Sequence, residues 1–178
     1  MAKKTVYSKT YNDSLKLTNR NFQAILDFYL FQCPTPGKSK RARVFSKLGW
    51  SGQKQFSQLK KKLLASATSS LNNNYHPCKR DDLPAGFEKV EKVHPVDEYC
   101  VFLKTDEKSV MQSLFSAIRN ALAHGSFSVQ QFKSDGKTYR IYFFSNFKDY
   151  LKAEIVLQEE TLLNWIEIVK SGYDPNWK

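Results

Sequence analysis

Residues 147–169 read FKDYLKAEIVLQEETLLNWIEIV, and the way this stretch folds decides the architecture of the chain. Phe147, Tyr150, Leu151, Ile155, Leu162, Trp165, Ile166 and Val169 recur at helical spacing, which predicts one long helix with a continuous apolar stripe. Gly172 and Pro175 stop it. Just upstream, residues 126–145 predict a β-hairpin. Asp135-Gly136 is a favoured two-residue turn, and counting outward from it sets Val129 against Tyr142 and Phe127 against Phe144.

Before the hairpin, a helix is predicted from Thr105-Asp106 to His124-Gly125. Thr105 is the candidate N-cap, Asp106 and Glu107 suit the positive end of the dipole, and Gly125 suits the left-handed residue after the last turn. On a helical wheel, Met111, Leu114, Phe115, Ile118, Ala121 and Leu122 form a buried stripe. Ser113, Ser116, Asn120 and His124 lie on the opposite side, and Arg119 sits at the border. Two more helices are expected. One covers residues 14–32, with Leu15, Phe22, Ile25, Leu26 and Tyr29 facing inward; the other covers 53–70, with Phe56, Leu59, Leu63 and Leu64. Residues 33–104 read as a basic and irregular insertion broken by Pro77, Pro84, Gly86 and Pro95, in which Tyr99–Leu103 suits a short strand or a helix edge. The expected fold is therefore mainly α, a single domain over residues 1–178. It is an antiparallel helical bundle with a β-hairpin inserted before the last helix.

Composition narrows the function. Of the 178 residues, 41% are hydrophobic and 14% aromatic, enough for a packed core and against wholesale disorder. No apolar run approaches the ~20 residues that span a bilayer, so no membrane role is expected. The first residues carry lysines without an apolar core, so no secretory signal is read and the cytoplasm is the expected compartment. Cys33, Cys78 and Cys100 are an odd, scattered set, expected to be reduced thiols. His76, Cys78 and His94 lack a paired ligand set, and there is no Gly-rich phosphate loop; neither metal nor cofactor is expected.

The net charge of +11 is unevenly spread. Residues 1–80 hold 16 Lys/Arg against two acids (+14), and residues 81–178 hold 12 against 15 (−3), which sums to +11. A basic half on a near-neutral half points to a polyanion, with nucleic acid the usual soluble one. Lys38, Lys40, Arg41 and Arg43 are candidates to track an RNA backbone, with Phe45, Trp50 and Phe56 either stacking bases or filling core. DNA binding finds no helix-turn-helix or zinc motif to support it.

The stretch RNALAHG, residues 119–125, is the candidate functional centre. With six arginines and three histidines, an Arg–His pair at a fixed offset arises by chance about one time in ten, so spacing alone says little. Its context adds weight: a polar Asn120, a helical Ala-Leu-Ala, and a helix end at His124-Gly125. Arg119-Asn120-Ala121-Leu122-Ala123-His124 resembles the signature of the HEPN superfamily. The flanks LFSAIRNALAHGSFSV are similar to a prokaryotic subgroup of toxin and abortive-infection loci. That resemblance covers residues 105–130 most closely. It implies an all-helical domain that dimerises, often acts as a metal-independent endoribonuclease, and in toxin loci answers to an antitoxin.

The side chains suit such work. Histidine exchanges protons near neutral pH, and RNA supplies its own nucleophile in the 2′-hydroxyl. His124 from two protomers would serve as base and acid, Arg119 would hold the scissile phosphate, and Asn120 would orient the imidazole. Ser116 and Ser126 are weaker candidates for phosphate contact. Ser113, Ser116, Asn120 and Ala123 are small enough for the same helix of a second copy to dock, which makes a homodimer through this helix the expected assembly. Opposed to these readings, His124 serves equally as a C-terminal cap and Arg119 as a surface ion-pair partner. A non-catalytic module binding RNA, nucleotide or protein is the competing function.

Overall fold

The computed structural model describes residues 7–10, 19–33, 45–90, 94–106 and 108–177. Lys38, Lys40, Arg41, Arg43 and Leu15 lie outside the described residues. In chain order the elements are β1 (Tyr7–Thr10), α1 (Arg20–Leu26), α2 (Gly52–Ala65), α3 (Ser69–Asn73), β2 (Tyr75–Cys78), α4 (Leu83–Glu88), β3 (Tyr99–Leu103), α5 (Val110–Ala123), β4 (Phe127–Ser134), β5 (Lys137–Phe147), β6 (Leu151–Gln158) and α6 (Glu159–Ser171). A π-helical turn, Asp27–Gln32, continues α1.

The strands form one six-stranded sheet in the order β1-β4-β5-β6-β3-β2, parallel between β2 and β3 and antiparallel elsewhere. The fold is thus mixed α/β, and this corrects the expectation of a mainly helical bundle with one hairpin. The error lies in residues 147–169. Their first half is β6, at the centre of the sheet, and only Glu159–Ser171 is helix. Ala153, Ile155 and Leu157 face one apolar cluster while Val156 faces another, so β6 is buried on both sides. A strand buried on both faces reads as a continuous apolar run, which helical spacing fits equally well. Strand and helix also abut at Gln158/Glu159 with no Gly or Pro between them. The available signal was Glu159-Glu160, an acidic pair suited to a helix N-terminus.

The β4–β5 hairpin has the expected register. Val129 pairs with Tyr142 and Phe127 with Phe144, and Asp135 (φ 54°) and Gly136 (φ 75°) both take left-handed backbone as a type I′ turn requires. Helices α1, α2, α5 and α6 pack on one face of the sheet in the larger cluster. Phe115 of α5 lies at its centre, against Phe28, Tyr29, Phe45 and Trp165. Polar tips inside it are satisfied by helix carbonyls: Trp165 Nε1 donates to Leu63 O (3.0 Å) and Trp50 Nε1 to Val169 O (3.1 Å). Phe45 and Trp50 are therefore core residues, with no face left for a base. The opposite face is covered by α4 through Leu83 and Phe87. Within residues 33–104, then, α2, α3, β2, α4 and β3 all join the sheet or its cover.

Cys33, Cys78 and Cys100 are all buried, and Cys78 and Cys100 are free thiols. Burial pushes the Cys78 and Cys100 thiols above their ordinary range. Because the thiolate is the reactive form, the folded protein is expected to react with a thiol reagent at least about tenfold more slowly than the unfolded chain. A colorimetric thiol assay with and without denaturant checks this, and equal rates would contradict the burial. No described helix is long and apolar enough to cross a membrane.

Candidate functional site

Helix α5 positions the site. A capping box starts it at Val110: Ser109 Oγ accepts from Gln112 N (3.1 Å), and Gln112 Oε1 accepts from Ser109 N (3.0 Å). The N-cap is therefore Ser109 rather than Thr105, which lies in the connection from β3. The helix ends as expected at His124, with Gly125 at φ 67°. Gly125 N donates to Leu122 O and Ser126 N to Ala121 O, the paired bonds of a Schellman motif.

Met111, Leu114, Phe115, Ile118, Ala121 and Leu122 are buried as the wheel predicts. Ser113 departs from it. Placed by the wheel on the outer face, Ser113 is only 5% exposed, and Ala117 is buried beside it. The end of the β5–β6 hairpin rises against this side of the helix, where Asn146 Nδ2 donates to Ala117 O at 2.7 Å.

Between helix and hairpin lies a cleft of about 600 Å³. Ser113, Ser116, Asn120 and His124 form its helical wall, and Asn146, Phe147, Lys148 and Lys152 face them. Thr105 and Lys108, from the connection into α5, close one end. A register shift at Asn146/Phe147 bends β5 just before this point, and Phe147 is left 73% exposed at the rim. Among the described residues, three lysines and a histidine line the cleft and no carboxylate does. Such a one-signed concavity concentrates anions.

Ser113 and Thr105 line this cleft, but their hydroxyl oxygens are shielded from solvent and have no hydrogen-bond partner among the described residues. A ligand in the cleft therefore meets Ser116, Asn120 and the lysines instead. Ser116 Oγ, by contrast, accepts a hydrogen bond from Lys108 Nζ at 3.3 Å.

Of the sequence candidates, the structure brings Ser116, Asn120 and His124 into this cleft. It does not bring Arg119 there. Five residues of α-helix set Arg119 and His124 about 140° apart around the α5 axis, so within one chain they do not form a common site. Arg119 is partly buried, its Nε has no hydrogen-bond partner, and it forms no ion pair with another described residue. Ser126 is exposed beyond the helix end and outside the cleft lining. Sequence reading missed Lys108, Lys148, Lys152, Thr105, Asn146 and Phe147. Reading 147–169 as one helix hides the β5–β6 turn, which holds Lys148, and the start of β6, which holds Lys152; these bring both lysines to the cleft.

Among the described residues no group of three His, Cys, Asp or Glu side chains is arranged to hold a metal ion. Comparison with protein-family models, with curated proteins and with solved structures finds no match to this chain.

Proposed function

We propose that this protein binds RNA by its phosphate backbone in the cleft between α5 and the β5–β6 hairpin. One observation carries the reading: among the described residues, three lysines and a histidine line the cleft and no carboxylate does. Lysines supply the salt-dependent attraction to phosphate, and the exposed Phe147 offers a ring on which a base stacks. RNA is preferred to DNA because hydroxyl and amide groups (Ser116, Asn120) can pair with a 2′-hydroxyl, the group that distinguishes the two. The cleft is built from one chain, so binding requires no second copy.

A second reading, metal-independent cleavage, is favoured by the presence of His124 and Asn120 in the same cleft as the lysines. His124 would take the 2′-hydroxyl proton, the freed oxygen would bond to phosphorus, and the bond to the 5′-oxygen would break. The leaving oxygen would then take a proton from water. Lysine charge would stabilise the crowded phosphorane.

One experiment separates these readings. Labelled RNA and its deoxy counterpart are titrated in excess EDTA, with binding followed by anisotropy and ends examined by gel. RNA binding that weakens about tenfold in Asn120→Ala supports the cleft, as expected for losing one hydrogen bond to a charged group. Products ending in 2′,3′-cyclic phosphate that vanish in His124→Ala add the enzyme reading. Equal affinity for DNA removes the choice of RNA, and no binding to either removes the proposal.

A further inference from the structure

A second basic groove, of about 590 Å³, lies at the other end of α5. Lys60 of α2 and Lys104 and Lys108 of the β3–α5 connection line it, over an apolar floor that includes Phe56 and Met111. Asp106 is the one carboxylate among its described lining residues. Lys108 lines both this groove and the cleft. The two concavities therefore meet at a shared cation, and together they follow α5 from its first turn to His124.

From this we infer that the two form one continuous track for a single strand of RNA, and that the Lys60–Lys104 groove is a distal subsite setting the length of strand bound. This rests on the RNA-binding reading of the cleft and specifies its ligand. The 14 residues of α5 rise about 21 Å. At the stacked spacing of about 3.4 Å per nucleotide, that length holds about six nucleotides. A short oligonucleotide fills the cleft alone; a longer one also reaches Lys104 and Lys60. A duplex presents a second charged strand, for which the described residues of the track offer no further cations.

The test compares a trinucleotide and an octanucleotide of uridine, by anisotropy, on the wild type and on Lys60→Ala/Lys104→Ala. Lys60 and Lys104 are both exposed, and trinucleotide binding reports on the fold of the variant. The wild type is expected to bind the octanucleotide at least about tenfold more tightly than the trinucleotide. The variant should keep its trinucleotide affinity and lose the advantage for the longer strand. Its dependence of log K on log salt should be shallower by about 1.4, the single-strand value for two lost phosphate contacts. An octanucleotide that binds no better than the trinucleotide overturns the track, as does an advantage that survives the double substitution. Equal competition by a duplex of the same length overturns it too. In all three cases trinucleotide binding leaves the cleft standing. If neither oligonucleotide binds, the cleft reading itself fails, and the track with it.

Discussion

Lys148→Glu/Lys152→Glu is expected to weaken RNA binding by at least about a hundredfold while leaving the melting temperature nearly unchanged. Both lysines line the cleft opposite Asn120 and His124. Two unit charges 4 Å apart in water interact by about 1 kcal/mol, so reversing one lysine beside a phosphate costs about 2 kcal/mol and reversing both about 4. Salt screening trims that sum, but it leaves about a hundredfold. The fold should tolerate the change. Lys148 is exposed and Lys152 partly so, and neither forms an ion pair with another described residue. The contact of Lys152 Nζ over the Tyr150 ring, 5.2 Å from its centroid, contributes only about 0.5–1 kcal/mol at such a site. Anisotropy at fixed salt, paired with thermal melting, checks both halves. Binding reduced by less than about threefold would place the RNA elsewhere.

Glu98→Ala is expected to remove about 3–5 kcal/mol of stability, the largest loss we anticipate from any single polar substitution. Glu98 is fully buried. One carboxylate oxygen accepts from Thr68 N (3.0 Å) and Thr68 Oγ1 (2.6 Å), and the other from Gln158 N (2.7 Å). Thr68 and Gln158 are the N-caps of α3 and α6, so one anion satisfies donors at two helix starts and benefits from their dipoles. Alanine leaves those donors buried and unpaired. Glu98→Gln keeps one acceptor but turns an amide N–H toward a backbone N–H, so it should recover only part of the loss. The denaturant midpoint should fall with an unchanged m-value. A shift worth under about 1 kcal/mol would mean that water replaces the carboxylate at both helix starts.

The same network explains which parts of this fold are legible in the sequence. Local chemistry was readable. Asp135-Gly136 demands left-handed backbone and fixes the β4–β5 register by counting, and Gly125 marks the end of α5. What local pattern cannot supply is the neighbour. β6 looks helical because the sheet buries both its faces, and nothing in LKAEIVLQ says that β3 and β5 flank it. Glu98, in an unpatterned stretch, becomes structural only once α3 and α6 meet there. Pro77 read as a break, yet it sits within β2, an edge strand of the sheet where a proline is tolerated.

For the site, the wheel correctly grouped Ser116, Asn120 and His124 on one side of α5. It places Ser113 on the outer face of the helix because the hairpin end that covers it is contributed by residues about 30 positions away. Arg119 carried the resemblance but not the geometry. Its offset from His124 turns the two side chains apart, and Lys108, Lys148 and Lys152 supply the positive charge at the cleft.

The central claim is that RNA occupies the cleft between α5 and the β5–β6 hairpin. Its most direct test is amide chemical-shift mapping of isotope-labelled protein during titration with the uridine octanucleotide. Saturable shifts are expected at Ser113, Ser116, Asn120, His124, Asn146 and Phe147, with the surface around Ser66–Ser70 unmoved. An unperturbed cleft, with shifts absent or confined to other surfaces, would contradict it.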